Sequence, residues 1–115
     1  MKNRIILIVG FLLFAVSTYA QKSKKVQEVT IESSIQCGMC EDRLNDMFAE
    51  FWAVKAVDYD LDKQTITVQY NAKKTNEDEI RLKIAETGYD ADELVAKQEA
   101  YDALPACCQK GGHHP

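Results

Sequence analysis

Alternating apolar and polar positions predict three β-strands in the first two thirds of the chain. In residues 26–35 the apolar side chains Val29 and Ile31 stand two positions apart, which is the period of a strand with one buried face. Residues 53–59 and 65–70 show the same alternation on either side of a short polar turn. These last two segments therefore predict a β-hairpin.

Two other segments change to a spacing of three and four residues, which predicts amphipathic helices. The first helix is predicted over 41–52, and the second begins at Thr75 as its N-cap and ends at Gly88. Residues 89–95 are predicted to form a short edge strand. The order βαββαβ predicts an α+β, ferredoxin-like sandwich in which two helices cover one face of a four-stranded antiparallel sheet. The core residues predicted for the first helix are Leu44, Met47, Phe48, Phe51 and Trp52.

The two ends of the chain differ from this domain. Residues 1–20 combine a basic start, an apolar run and small residues near Ala20, the pattern of a cleaved secretory signal peptide. The apolar run is shorter than the ~20 residues of a spanning helix, so we expect a periplasmic or secreted protein without stable membrane insertion after cleavage. Residues 21–25 are a linker, residues 26–96 the domain, and residues 97–115 a short helix followed by a flexible tail.

The net charge of the chain limits the classes of partner that it is expected to bind. The formal net charge is −4 at pH 7 and becomes more negative without the basic residues of the signal peptide. Nucleic acids and anionic lipids select basic surfaces, so we expect no nucleic-acid partner. A cationic cargo is compatible with this charge.

Four cysteines carry the candidate chemistry, and the first two form a Cys-x-x-Cys motif. Cys37 and Cys40 lie between the first predicted strand and the first predicted helix, where backbone N–H groups of a helix start favour thiolates. Thiolates are the ligands of soft ions such as Cu(I), Hg(II) and Zn(II). Two sulfurs suit the nearly linear sites of Cu(I) or Hg(II), whereas Zn(II) requires four ligands.

A second group of candidate ligands lies near the C-terminus. Cys107 and Cys108 precede His113 and His114, and a short Cys/His-rich tract of this kind is suited to metal capture. We therefore interpret these four residues as a candidate second metal site. A disulfide that links one cysteine pair to the other is the alternative for an exported protein.

The motif and the order of elements resemble the heavy-metal-associated domain family, which includes bacterial copper chaperones and periplasmic mercuric-ion-binding proteins. The resemblance covers residues 26–95 and is most specific at Cys37, Cys40 and Gly88-Tyr89-Asp90. It implies that Tyr89 packs beside the metal thiolates. Members of the family usually carry a methionine two residues before the first cysteine, and here Ile35 occupies that position.

These observations predict an exported metallochaperone or metal scavenger rather than an enzyme. Cu(I) is the expected cargo, with Hg(II) or Zn(II) as alternatives, and Met39 and Tyr89 are expected to shape access to the ion. The expected partners are a metal transporter or acceptor protein, and two chains bridged by one metal ion are a further expectation. The alternative function is a thiol–disulfide oxidoreductase, with Cys37 as the attacking thiolate and Cys40 as the resolving thiol.

Overall fold

A computed structural model describes residues 25–111 of the chain, and these residues form a sheet covered by helices. The strands are the segments where apolar and polar residues alternate, and the helices follow the three- and four-residue spacing. The elements are β1 (Val26–Glu32), α1 (Gly38–Ala49), β2 (Val54–Asp60), β3 (Thr65–Asn71), α2 (Glu77–Thr87), α3 (Gln98–Asp102) and a 3₁₀ helix (Ala106–Cys108).

The sheet is antiparallel with the strand order β1-β3-β2. Val68 of β3 lies opposite Val29 of β1 and Val57 of β2, so the apolar positions of all three strands fall on the same face. A bulge between Val54 and Ala56 interrupts the pairing of β2 with β3. This register buries one face of the sheet because side chains in a strand alternate with a period of two.

One hydrophobic core joins the sheet to both main helices. Leu44 and Phe48 of α1 and Ile80 and Ile84 of α2 are buried against the apolar face of the strands. Ile35, which follows β1, is completely buried. The fold is thus an α+β arrangement of a three-stranded antiparallel sheet and two main helices, consistent with the ferredoxin-like class.

The fourth strand predicted for residues 89–95 does not form, and this is the main difference between the predicted and the observed fold. Residues 89–95 contain no strand, and Ala91 makes only isolated bridges, to Ser33 and to Leu94. The chain turns back on itself here, because the Ala91 and Leu94 backbones exchange two hydrogen bonds and Asp92 has a φ of 53°. A strand ladder cannot extend through such a tight turn, so within residues 25–111 the sheet ends with three strands.

The helix boundaries also differ from the sequence-based expectations. Helix α1 begins at Gly38 with Cys37 as its N-cap, so the cysteine motif is the first turn of the helix rather than a loop before it. The helix ends at Ala49, which leaves Trp52 beyond it and 68% exposed instead of in the core. In α2 the N-cap is Asn76 rather than Thr75: its side chain accepts a hydrogen bond from the backbone N–H three residues on.

The C-terminal segment, residues 98–111, folds back onto the domain. The predicted short helix is α3, but the residues after it are not a free tail as far as Gly111. Leu104 is 5% exposed and Cys108 is 1% exposed, and both belong to the hydrophobic core. The segment is held because two apolar side chains leave water: Leu104 beside Gly88 at the end of α2, and Cys108 beside the cysteines at the start of α1. His113 and His114, together with residues 1–24, lie outside the described residues.

Candidate metal centre

The first turn of α1 positions the Cys37 and Cys40 side chains at one point. Cys37 has an extended backbone, with φ −155° and ψ 175°, and its carbonyl accepts a hydrogen bond of 2.9 Å from the Cys40 N–H. The two Sγ atoms are 3.8 Å apart. The Gln36 N–H donates to Cys40 Sγ at 3.3 Å. A Cys-x-x-Cys motif that starts a helix therefore points both sulfurs toward the same small volume.

The two thiols differ in exposure. Cys40 is fully buried, whereas Cys37 is half-buried at the rim of the site. Burial by itself would raise the pKa of Cys37, but the backbone N–H groups of Cys40 and Met39 outweigh it and hold the pKa below its ordinary value. Cys37 is thus an accessible sulfur whose thiolate is favoured by the start of the helix.

A third thiol reaches the same volume from the C-terminal segment. Cys108 lies in the 3₁₀ helix that follows Pro105, and the Sγ atoms of Cys37, Cys40 and Cys108 all lie within 4.8 Å of one another. Burial raises the pKa of Cys108 to about 12. The apo protein therefore holds this sulfur as a neutral thiol against the other two.

Tyr89 closes the inner side of this sulfur cluster. Its side chain is completely buried, and its hydroxyl makes no hydrogen bond of good geometry within residues 25–111. Burial, and after it the neighbouring Cys108 and Cys40 thiols, raise the pKa of Tyr89. A buried hydroxyl without a partner is costly, and this one adjoins sulfurs that become strong acceptors once they lose their protons.

Met39 and Cys107 lie on the outer side of the cluster. Met39 is 49% exposed, and Cys107 Sγ donates to its Sδ at 3.4 Å. The Cys37 thiol in turn donates to the Cys107 carbonyl at 3.6 Å. The Sγ atoms of the two adjacent cysteines thus lie in different places: that of Cys108 belongs to the buried cluster, and that of Cys107 faces Met39.

The backbone around the cluster is tied to two neighbouring loops. The Gln64 side chain donates to the Ile35 carbonyl at 3.0 Å, and the Ser34 hydroxyl accepts from the Asp90 N–H at 2.9 Å. These bonds connect the segment before Cys37 to the β2–β3 turn and to the loop that carries Tyr89. Neither Gln64 nor Ser34 belongs to a motif, so the sequence alone does not predict that they hold this part of the backbone.

Cys108 lies with Cys37 and Cys40 rather than in a separate site with Cys107, which the Cys/His-rich tract does not predict. The apolar Leu104 just before Pro105 is the feature of the sequence that indicates packing of this segment. All four cysteines are free thiols. Three convergent sulfurs, one of them accessible, form a cluster that can bind a soft cation or take part in thiol exchange.

The fold and the cluster together define a small α+β domain with thiols at a helix start. The model of the heavy-metal-associated domain matches residues 29–90, and the chain belongs to that family. No curated protein matches the sequence. Within residues 25–111, no helix is both long enough and apolar enough to cross a membrane.

Several solved structures share this fold. A structure described as a CopZ metallochaperone has a TM-score of 0.53 and 21% identity, covering 56% of this chain and 98% of that one. A putative copper-ion-binding protein from Bacillus anthracis has a TM-score of 0.55 and 22% identity, covering 61% and 100%. Apo-CopP from Helicobacter pylori has a TM-score of 0.51 and 23% identity, covering 56% and 98%. At these identities the likeness concerns the fold.

Proposed function

We propose that this protein is a metallochaperone or scavenger that binds a soft metal ion through Cys37 and Cys40 and passes it on by ligand exchange. The observation that carries the proposal is the pair of sulfurs 3.8 Å apart at the first turn of α1. Membership of the heavy-metal-associated family supports it. The protein is proposed to act by binding, without catalysing a reaction.

Cu(I) is the proposed cargo. A pair of thiolates selects soft ions, and the same fold in a putative copper-ion-binding protein supports Cu(I) over Hg(II) and Zn(II). Among residues 25–111 no fourth His, Cys, Asp or Glu ligand joins the three cysteines, which disfavours Zn(II) because it prefers four.

The unequal exposure of the two thiols supports transfer rather than permanent storage. An acceptor's thiolate can approach the ion on the side of half-buried Cys37, while buried Cys40 still holds it. The acceptor then displaces Cys37 first and Cys40 second, so the ion is never released to water. Each displaced thiolate takes up a proton, and the metal is neither oxidised nor reduced. A metal transporter or another thiol-bearing protein is the proposed acceptor.

A titration with Cu(I) tests this function. The reduced protein is expected to remove Cu(I) from a coloured chelator, and the double variant Cys37→Ser/Cys40→Ser is expected to lose this ability. Cys107→Ser is the matched control, since that thiol lies outside the three-sulfur cluster. If the double variant competes as well as the wild type, the first turn of α1 is not the site.

A thiol–disulfide oxidoreductase is the second candidate function. The observation in its favour is the combination of an accessible Cys37 of lowered pKa with a buried Cys40 beside it, as an attacking and a resolving thiol require. Catalysed reduction of insulin by the metal-free protein would favour this function. A protein that binds Cu(I) tightly and leaves insulin intact supports the chaperone.

Export remains a proposal that rests on residues 1–20. We propose that this segment is removed and that the protein acts in the periplasm or outside the cell. The mass of the protein recovered from an exporting host tests it directly: a mature chain is expected to begin near Gln21. A full-length chain retained in the cytosol would contradict it.

A further inference from the structure

The C-terminal segment places the sulfur of Cys108 next to the proposed metal site, although Cys108 lies near the other end of the described chain. Cys108 lies 68 or more positions from the Cys-x-x-Cys motif in sequence, yet its Sγ is within 4.8 Å of both Cys37 Sγ and Cys40 Sγ. Its side chain is 1% exposed. The thiol thus faces the other two sulfurs and not the solvent.

The spacing of the sulfurs is compatible with one small ion between them. With metal–sulfur bonds of roughly 2.3 Å, a trigonal site has sulfur–sulfur edges of about 4.0 Å and a linear one about 4.6 Å. The Cys37–Cys40 separation of 3.8 Å is nearer to the trigonal value. All three separations stay below 4.8 Å, so small side-chain rotations suffice to bring three sulfurs to one ion.

The segment that carries Cys108 is attached at several points, which makes its position a property of the fold. Leu104 is buried in the core, and the Gln109 side chain donates to the Leu104 carbonyl at 3.3 Å. Lys110 Nζ lies 2.6 Å from an Asp90 carboxylate oxygen. The Tyr101 hydroxyl accepts from the Lys110 N–H at 3.0 Å. These contacts flank Cys108 on both sides.

We propose that Cys108 is a third ligand of the soft metal ion, so that a single chain offers a three-sulfur site rather than the two-sulfur site of its Cys-x-x-Cys motif. This inference rests on the proposed function, since it adds a ligand to the same site. Its consequences are a monomeric metal complex, because no second chain has to supply sulfur, and a cargo that leaves only when the C-terminal segment moves.

The surroundings of the cluster can accommodate the charge of such a complex. Each thiol that binds releases its proton to the solvent, so Cu(I) with three thiolates carries a net charge of −2. Both cysteines stand in the first turn of α1, where the positive end of the helix dipole favours negative charge, and the Gln36 N–H already donates to Cys40 Sγ. The Tyr89 hydroxyl is buried, has no hydrogen-bond partner among residues 25–111, and adjoins Cys108 and Cys40, so it can donate to a thiolate.

X-ray absorption of the Cu(I)-loaded, reduced protein tests the proposal on the wild type. One copper per chain with three sulfur neighbours is expected, in a complex that sedimentation shows to be monomeric. Cys108→Ser is expected to lower the sulfur count to two and to weaken Cu(I) binding against a chelator at least tenfold. Cys107→Ser, the neighbouring thiol outside the cluster, is expected to leave both quantities unchanged.

The other outcomes separate this inference from the proposed function. A wild type with two sulfur neighbours and a Cys108→Ser variant of equal affinity would overturn the third ligand and leave the chaperone intact. A third sulfur seen only in a dimer, or an equal loss in Cys107→Ser, would also overturn it. A wild-type protein that binds no copper would contradict both the proposed function and the third ligand. Urea denaturation of each apo variant, with Cys108→Ala as a second substitution, identifies any loss that comes from unfolding.

Discussion

Leu104 is the apolar anchor of the C-terminal segment, and its removal should release Cys108 from the core. The side chain is 5% exposed and packs in the cluster that includes Cys108. Leu104→Ala removes three buried carbons, which at about 0.8 kcal/mol each amounts to about 2.4 kcal/mol before any contribution from the cavity left behind. If the segment opens as a local unit, this whole amount lowers the free energy of opening.

The alkylation rate of Cys108 measures this opening. Because the thiol is buried, a reagent reaches it only in the opened state, and the rate follows the population of that state when closing is fast. A change of about 2.4 kcal/mol corresponds to roughly a 50-fold increase. Pulsed alkylation of the apo protein, read by peptide mass, gives the rate for Cys108 separately from the other cysteines.

Leu82→Ala is the matched control, because it removes the same atoms from a position that is 51% exposed. It is expected to change the Cys108 rate by no more than a few-fold. Equal rates for Cys108 in the two variants would refute the reasoning, since Leu104 would then not hold the segment closed. If the buried Cys40 thiol is alkylated faster by the same factor as Cys108, and urea denaturation shows an equal loss of global stability, the segment opens only with the whole domain.

Three further experiments test other parts of the structure. Gly88→Ala should lower the free energy of unfolding, measured with urea, by about 1–3 kcal/mol. The reason is that Gly88 has a φ of 114° and the added methyl group would lie 3.0 Å from a carbonyl oxygen of α3. Gly38→Ala is the control and should be tolerated, because there is open space around Gly38. Near neutral pH, Cys37 should be alkylated faster than Cys108, because the lowered pKa of Cys37 increases its thiolate fraction while burial raises the pKa of Cys108 to about 12; equal rates for these two thiols would contradict this. Tyr89→Phe should raise the melting temperature of the apo protein, since it removes a buried hydroxyl that has no hydrogen-bond partner in the described part of the chain. The same change should weaken Cu(I) binding by about tenfold if that hydroxyl donates to a thiolate.

Local patterns were sufficient to predict most of the fold. The period-two alternation around Val29, Ile31, Ile66 and Val68 marks a buried face whatever the rest of the chain does, and those residues form the face of the sheet. The same holds for the helical stripe that contains Leu44. The alternation fails at 89–95 because Asp92 adopts a positive φ and the chain turns, which an apolar–polar pattern does not encode.

The ends of helices were less predictable, because an apolar–polar pattern does not encode where the backbone changes direction. Trp52 continues the apolar spacing of α1, but the helix ends at Ala49 and the indole lies on the surface with Lys74 Nζ 5.3 Å from its ring centre. Spacing identifies which face of a helix is apolar, and it does not identify the turn at which the backbone leaves the helix. Trp52 is therefore placed wrongly by periodicity, because it lies beyond the last residue of the helix.

The sequence by itself determined that two thiols stand between a strand and a helix, because Cys37 and Cys40 are three residues apart between a strand pattern and a helix pattern. It also determined the sign of the charge and the alternation that buries the sheet. The structure decided that the two thiols belong to the first turn of that helix. Only the tertiary structure decided that Cys108 joins them and Cys107 does not. The Cys107 and Cys108 side chains are adjacent in the chain but point in different directions. The packing of Leu104 against the end of α2 decides which of the two meets the Cys37–Cys40 pair, 68 or more residues away in sequence.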